Sequence, residues 1–202
     1  MYKRQAAFPL LIKTQFPTVT IAIAFLGPLV GSLSRPLGGL LADKIGGAII
    51  TFWNFIAMGA ATIGVLYFVG TKDFTGFLVM FLILFVTTGV GNGSTYRMIP
   101  SIFREENLRK AKGKGEAGRA LALKAASIES GAAVGFIGAI GACGGYLIPS
   151  GFGKSIAMTG GPQLALEIYL AFYAVCLAMT WWYYLRRTSV QSSATSLAEA
   201  RI

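Results

Sequence analysis

Histidine is absent from this sequence, and cysteine and charged residues are scarce. The 202 residues include no histidine, two cysteines and only 13% charged side chains, whereas a soluble domain has about 25% charged residues. Without histidine, His-ligated metal sites and catalysis by Ser-His or Cys-His pairs are excluded. Cys143 and Cys176 have no CxxC spacing and lie in apolar stretches, which indicates small buried side chains. No cofactor and no metal are therefore expected.

Long uncharged stretches account for the missing charge. Each of five such stretches is long enough to cross a hydrocarbon core of about 30 Å as a helix that rises about 1.5 Å per residue. They cover residues 14–34, 45–71, 74–96, 130–153 and 168–185. The sequence therefore predicts an all-α, polytopic membrane helix bundle with the lipid bilayer as its surroundings, and soluble enzymes and disordered tails are poor interpretations.

The net charge of +10 would indicate nucleic-acid binding in a soluble protein. The positive-inside rule explains it better here. If successive spans alternate in direction, eleven Lys and Arg residues fall on one side, and Lys13, Lys72 and Lys154 fall on the other. We therefore expect no nucleic-acid partner, a multi-pass location in the cell inner (plasma) membrane, and a cytoplasmic C-terminus.

Three regions are predicted along the chain. Residues 1–17 are too short to span a membrane and are interpreted as a lead-in (residues 1–5) and the end of a truncated helix, which makes the chain a fragment. Residues 18–187 hold five transmembrane helices, and residues 188–202 form a polar cytoplasmic tail. The helices are predicted near 18–42, 49–69, 74–99, 126–148 and 164–185, with a basic loop over 104–124 and a Gly/Pro-rich connection over 149–162.

Two of the predicted helices carry small residues at helical spacing, three or four positions apart. Such residues form a stripe along one face, which lets helix backbones approach closely in lipid. The first stripe is Gly27, Gly31, Ser34 and Gly38, and the second is Gly131, Gly135, Gly138, Gly141 and Gly145. The stripes favour a tightly packed bundle over a set of independent anchors.

Arg35 is the charge that most needs an explanation. It precedes Asp43, where the first span leaves the membrane, by about 12 Å of helix rise. This distance places it near mid-bilayer, where a charged side chain is costly and usually functional. Arginine suits an anion because its guanidinium group stays protonated. This planar group, here called the fork, donates two parallel hydrogen bonds. The alternative is a structural arginine paired with another helix, although Glu129 and Glu167 both lie near span ends.

A short junction follows Arg35 at the predicted cytoplasmic end of the first span. Residues 38–47, GGLLADKIGG, resemble the signature loop of the major facilitator superfamily. The resemblance implies a cytoplasmic gate in which Gly39 permits close packing, Asp43 and Lys44 act at helix ends, and Gly46 supplies the turn. The basic residue that usually follows the last glycine is absent, which implies fewer ion pairs. The alternative is a plain tight turn between two helices.

Other segments narrow the resemblance to the nitrate/nitrite porter family. Residues 135–149, GFIGAIGACGGYLIP, are similar to its glycine-rich nitrate signature, and residues 89–100, GVGNGSTYRMIP, are similar to a segment of its C-terminal half. The same holds for Lys13 to Pro17, Gly27-Pro28 and Ser34-Arg35. The motifs occur in the right order from Lys13 to Arg187. The resemblance implies helices eight to twelve of a twelve-helix fold, with the N-terminal six-helix half missing from this chain.

The resemblance also implies roles for particular residues. Arg35 would be one of two arginines that hold nitrate or nitrite, and the second would belong to the missing half. A serine stands at the position of Gly138 in some relatives, so one side-chain hydrogen bond to the anion is expected to be missing. Substrate contact is expected at Gly135, Gly138, Gly141, Gly144 and Gly145, with helix packing alone as the alternative for each of these glycines. Helix packing is expected at Gly27, Gly31, Gly38, Gly89, Asn92 and Gly93.

Two further features are weaker candidates. Arg97 is placed at the cytoplasmic interface by the length of its span, so we expect it to anchor to lipid headgroups or to a helix end. Residues 113–118, GKGEAG, match GxGxxG, but they follow no predicted strand and lie in a basic loop. The dinucleotide-binding interpretation therefore fails the context that this motif requires.

Two functions remain open. The first is nitrate and nitrite transport by alternating access, as an antiporter or a symporter, with the anion bound near the membrane midplane between the two halves. The second is a non-transport membrane scaffold or channel subunit with a structural Arg35. An enzyme is not expected, because the chain lacks the histidine, paired carboxylates or cysteine set that a membrane enzyme would need.

Overall fold

A computed structural model describes residues 7–185 of the chain. The described residues are almost entirely helical and contain no strand, which confirms the all-α prediction. The predictions for residues 1–5, for Arg186 and Arg187, and for the tail at 188–202 fall outside this range. The elements are α1 (Ala7–Gln15), a 3-10 turn (Ile21–Phe25), α2 (Leu26–Ile45), α3 (Gly47–Thr71), α4 (Phe74–Lys110), α5 (Gly115–Thr159), α6 (Gln163–Thr180) and a π-helical turn (Trp181–Leu185).

Five segments are long and apolar enough to cross a membrane. Their mean hydropathy over the most apolar window lies between 1.4 and 2.1. They are Ile21–Ile45, Gly47–Thr71, Phe74–Lys110, Gly115–Thr159 and Gln163–Tyr183. The chain is therefore an integral membrane protein built from the five apolar helices that its uncharged stretches predicted.

The basic segment at 104–124 is helical, and the prediction of a loop there is wrong. Helix α4 continues to Lys110 and α5 begins at Gly115, so only residues 111–114 form a turn. Lys, Arg, Glu and Ala are good helix formers. In addition, Glu106 and Lys110 form an ion pair one helical turn apart, with 3.1 Å between Oε1 and Nζ.

The Gly/Pro-rich segment at 149–162 is helical as far as Thr159, and the predicted connection there is also wrong. Helix α5 continues through Pro149 and ends at Gly160, which has a left-handed φ of +75°. Membrane helices tolerate such residues where neighbouring groups satisfy the backbone. Here the Tyr169 hydroxyl of α6 donates to the carbonyl of Ile148 over 2.9 Å. This hydrogen bond joins the segment to α6, whereas the carbonyl that Pro149 leaves without its helical N–H donor is that of Gly145.

Helix α4 is the central element of the bundle, because α2, α3 and α5 all pack against it. Helices α2 and α4 approach at glycines, where a Cβ at Gly38 would overlap the backbone of Val90. A Cβ at Gly93 would likewise overlap the carbonyl oxygen of Arg35. These contacts are between backbones, so no larger residue fits without moving one of the helices.

Phenylalanine side chains fill the end of the bundle where α4 begins. The ring of Phe8 in α1 stacks on Phe81 with 4.5 Å between centroids, and Phe16 lies 4.9 Å from Phe77. Leu11 of α1 is fully buried in the same cluster. The short α1 is therefore held in the core by aromatic contacts with α4.

We predict that Gly93→Ala destabilises the chain and that Gly70→Ala does not. The first variant places a methyl group against the carbonyl of Arg35, and overpacking of this kind costs about 1–3 kcal/mol. A Cβ at Gly70 meets no atom within 4 Å, so alanine there is neutral or gains the ~0.5–1 kcal/mol that it contributes in a helix. Thermal unfolding of the purified chain in detergent, followed by circular dichroism, compares the two. Equal melting temperatures for both variants would contradict the close contact between α2 and α4.

Candidate functional site

Arg35 lies in the middle of α2, and its side chain is exposed. Within residues 7–185 it forms no hydrogen bond and no ion pair. Its backbone carbonyl packs on Gly93 of α4, which fixes its position relative to the central helix. One turn further along the same face, a Cβ at Gly39 would meet no atom within 4 Å. Among the described residues, Arg35 is thus an unpaired guanidinium in an apolar helix, and the space at Gly39 is open.

The small residues on the rest of α2 face α4. A Cβ at Gly27 would overlap the ring of Phe85, and one at Gly31 would lie 3.3 Å from the Phe85 carbonyl oxygen. The Ser34 hydroxyl is buried and donates to the carbonyl of Gly31 over 2.9 Å. A Cβ at Gly89 of α4 would overlap that hydroxyl. The Ser34 hydroxyl therefore uses its hydrogen within the contact between α2 and α4 and cannot donate it to a ligand.

Helix α4 also packs against α3 near its contact with α2. The hydroxyls of Thr51 and Ser94 are both buried and lie 3.2 Å apart, so they share a hydrogen bond. A Cβ at Gly91 would overlap the amide of Asn54. Polar contacts and a further glycine thus hold α3 against the helix on which the Arg35 carbonyl packs.

Two polar side chains on α4 lie one turn apart. Asn92 is half-buried and Tyr96 is 38% exposed, and neither forms a hydrogen bond within the described part of the chain. The Tyr96 hydroxyl lies 3.5 Å from where a Cβ on Gly138 of α5 would be. Tyr96 was missed by the sequence analysis, although its three-residue spacing from Gly93 placed it one turn along the same helix.

The glycine-rich face of α5 is largely open in the part of the chain that the structure describes. Of the five glycines expected to contact substrate, only Gly138 approaches another described helix. A Cβ at any of the other four would meet no atom within 4 Å. These four are Gly135, Gly141, Gly144 and Gly145. The face therefore has room for a ligand or for another helix.

The junction after α2 contains an ion pair. Asp43 Oδ1 accepts a hydrogen bond from Arg97 Nε over 2.8 Å, and the two side chains are 45% and 63% exposed. Gly46 has a φ of +103° and its amide donates to Ala42. Lys44 is exposed and has no ion pair within residues 7–185. Arg97 was expected to anchor to lipid headgroups or to a helix end; it pairs with Asp43 in the last turn of α2, in agreement with the second alternative.

Known nitrate transporters are similar to this chain. It is 45% identical over 188 residues to the nitrate/nitrite transporter NarU of Escherichia coli and 44% identical over 191 residues to NarU of Salmonella typhimurium. These alignments cover 90% and 92% of the chain. The chain belongs to the nitrate/nitrite porter family. The probable nitrate/nitrite antiporter NarK2 of Thermus thermophilus is 31% identical over 190 residues, which is 90% of the chain.

The chain spans about two fifths of the length of these porters. The matched part is 40%, 41% and 38% of the three relatives in the order given. No family model matches the chain. Together with the five membrane-length helices, the coverage is consistent with part of a major facilitator fold.

We predict that the ion pair between Asp43 and Arg97 is weak and isolated. Asp43→Asn and Arg97→Gln should each lower the melting temperature slightly. The melting temperature of the double variant should be no lower than that of either single variant. High salt should remove the difference, because exposed pairs are screened. Lys44→Gln is the control, since Lys44 has no ion pair in the described part. Additive losses for the two single variants in thermal unfolding would contradict a direct pair.

Proposed function

We propose that this chain is the C-terminal half of a nitrate/nitrite transporter that works by alternating access, with Arg35 binding the anion. The observation that carries the proposal is the unpaired guanidinium of Arg35 in the middle of an apolar helix. The names of the relatives support the substrate, since those proteins are described as nitrate/nitrite transporters or antiporters. The missing N-terminal half would supply the remaining helices.

Nitrate and nitrite fit Arg35 chemically. A central arginine costs about 2.5–3.5 kcal/mol in a membrane helix, and no acidic side chain within residues 7–185 offsets this. A planar oxyanion does offset it, because the guanidinium donates two parallel hydrogen bonds to a pair of oxygens. The planar guanidinium binds the anion in a defined plane. A lysine ammonium does not define such a plane.

The open face of α5 supports a site between two halves. Substrate sites in transporters of this architecture lie near the midplane where the repeats meet. Gly135, Gly138 and Gly141 leave room there for the anion and for a helix of the other half. In our proposal the second arginine comes from that half, so two guanidinium groups surround the anion.

The ion pair between Asp43 and Arg97 supports a gate at the cytoplasmic end. Alternating access requires this end to open and close, and an exposed pair contributes little to stability. Gly39 and Gly46 provide the space and the turn at the junction, and Lys44 is free to pair across the gate. These residues would rearrange when the two halves rock.

The remaining distribution of charge favours anion exchange over proton coupling. Asp43 is paired with Arg97, and Glu129 accepts a hydrogen bond from the Asn107 amide over 2.8 Å at the cytoplasmic end. Within the described range, no carboxylate lies in the uncharged part of a span beside Arg35. The alternative function, a scaffold with a structural Arg35, requires a partner for that side chain outside residues 7–185.

We predict that Arg35→Lys abolishes or greatly weakens nitrate uptake by the complete transporter. Lysine keeps the charge but loses the fork, and a lost hydrogen bond to a charged group costs roughly 10- to 100-fold in KM. Arg119→Lys, on the cytoplasmic part of α5, makes the same substitution away from the site and should leave uptake unchanged. Uptake measured in cells that lack their own porters tests this. Normal affinity in Arg35→Lys would contradict the proposed role.

We also predict that the 202-residue chain alone does not transport nitrate. Half of the anion site and one of the two rocking halves would be missing from it. Liposomes that contain only this chain should show the same nitrate flux as empty liposomes, measured with an internal nitrate sensor. A flux above that background would contradict the division of the transporter into two required halves.

A further inference from the structure

The N-terminal part of α5 has one face that is largely uncovered within residues 7–185. Leu121 and Ile128 lie on this face and are 69% and 65% exposed. Lys124 lies between them, three residues from one and four from the other, so the three side chains share one side of the helix. The face continues to Gly131 and Gly135, where a Cβ would meet no atom within 4 Å. It therefore runs from the charged end of α5 into the glycine-rich part.

The opposite side of the same segment packs into the bundle. Ala122, Ala126 and Ser130 are buried and follow one another at four-residue spacing, which places them together on that side. The segment is joined to α4 by the Asn107 amide, which donates to the Glu129 carboxylate over 2.8 Å. The uncovered face of α5 therefore points away from the described helices.

Lys124 is a cation between two apolar side chains. It is exposed and forms no ion pair and no hydrogen bond within residues 7–185. Water hydrates its ammonium while the face is open, but a helix packed over Leu121 and Ile128 would remove that water. A charge buried in this way without a partner is strongly destabilising. A helix that covers this face must therefore bring a carboxylate to Lys124.

We infer that the missing half covers this face and pairs an acidic side chain with Lys124. This inference rests on the proposed function, in which that half packs against α5. The chain spans about two fifths of the length of its relatives, and Gly131 and Gly135 leave room for the close approach of a helix backbone. The ion pair forms when the two halves close at this end, and it breaks when they open and water replaces the carboxylate. Lys124 thereby belongs to the proposed gate together with Asp43 and Lys44.

The test uses a zero-length carbodiimide cross-linker, which joins a lysine amine to a carboxylate that is already in contact with it. The complete transporter is treated in detergent, and the linked peptides are identified by mass spectrometry. We expect a link between Lys124 and an Asp or Glu of the N-terminal half. Lys110 is the positive control, because its Nζ lies 3.1 Å from Glu106 Oε1.

A matched pair of variants tests the face itself. Leu121→Ser should lower the yield of the Lys124 link several-fold, because the closed state then buries less apolar surface. Leu123→Ser makes the same change about 200° further around the helix and should leave that yield unchanged. The link between Lys110 and Glu106 should form equally in both variants.

The outcomes separate this inference from the proposed function. If the transporter carries nitrate but Lys124 gives no link, or links only to carboxylates within residues 1–202, the pairing is wrong. A link between two copies, seen when isotope-labelled and unlabelled protein are mixed, would also overturn it. An equal loss of yield in Leu121→Ser and Leu123→Ser would overturn the assignment of the face. A link to the N-terminal half in a protein that transports neither nitrate nor nitrite would overturn the proposed function and leave the contact between the halves in place.

Discussion

The contact between the backbones of α2 and α4 is the constraint on which the rest of the structure depends. Glycines on both helices let the Arg35 carbonyl rest on Gly93, where any side chain would separate the helices. In lipid the hydrophobic effect does not drive helices together, so close packing of this kind holds them. The same pairing of helices brings Asp43, near the end of α2, to Arg97 of α4.

Rigid and open parts of the bundle have different compositions. The end near α1 is filled with phenylalanines such as Phe8 and Phe81, and the middle of α4 is fixed by glycine and hydroxyl contacts with α2 and α3. By contrast, within the described residues a Cβ at Gly141 of α5 or at Gly39, one turn from Arg35, would meet no atom within 4 Å. This combination fits the proposed role as a transporter half, which would have to move as one body and leave its substrate face uncovered.

Composition was enough to predict the class of fold, since five uncharged stretches and a one-sided excess of Lys and Arg permit few alternatives. Helix ends were predicted less well. The Gly and Pro residues near Pro149 indicated a connection, but the segment is helical as far as Thr159. Contacts between helices could not be predicted from the sequence. The pairing of Arg97 with Asp43 and the approach of Tyr96 to Gly138 depend on how helices that are distant in sequence align. A single sequence has no signal for that alignment.

The most direct test of the account is a cryo-electron microscopy structure of the complete transporter with nitrate bound. We expect a planar density with two oxygens about 3 Å from the Arg35 guanidinium nitrogens, between α2 and the glycine-rich face of α5. The contradicting result is Arg35 paired with a carboxylate or with backbone carbonyls of the other half, and nitrate bound elsewhere. That result would make Arg35 a structural residue.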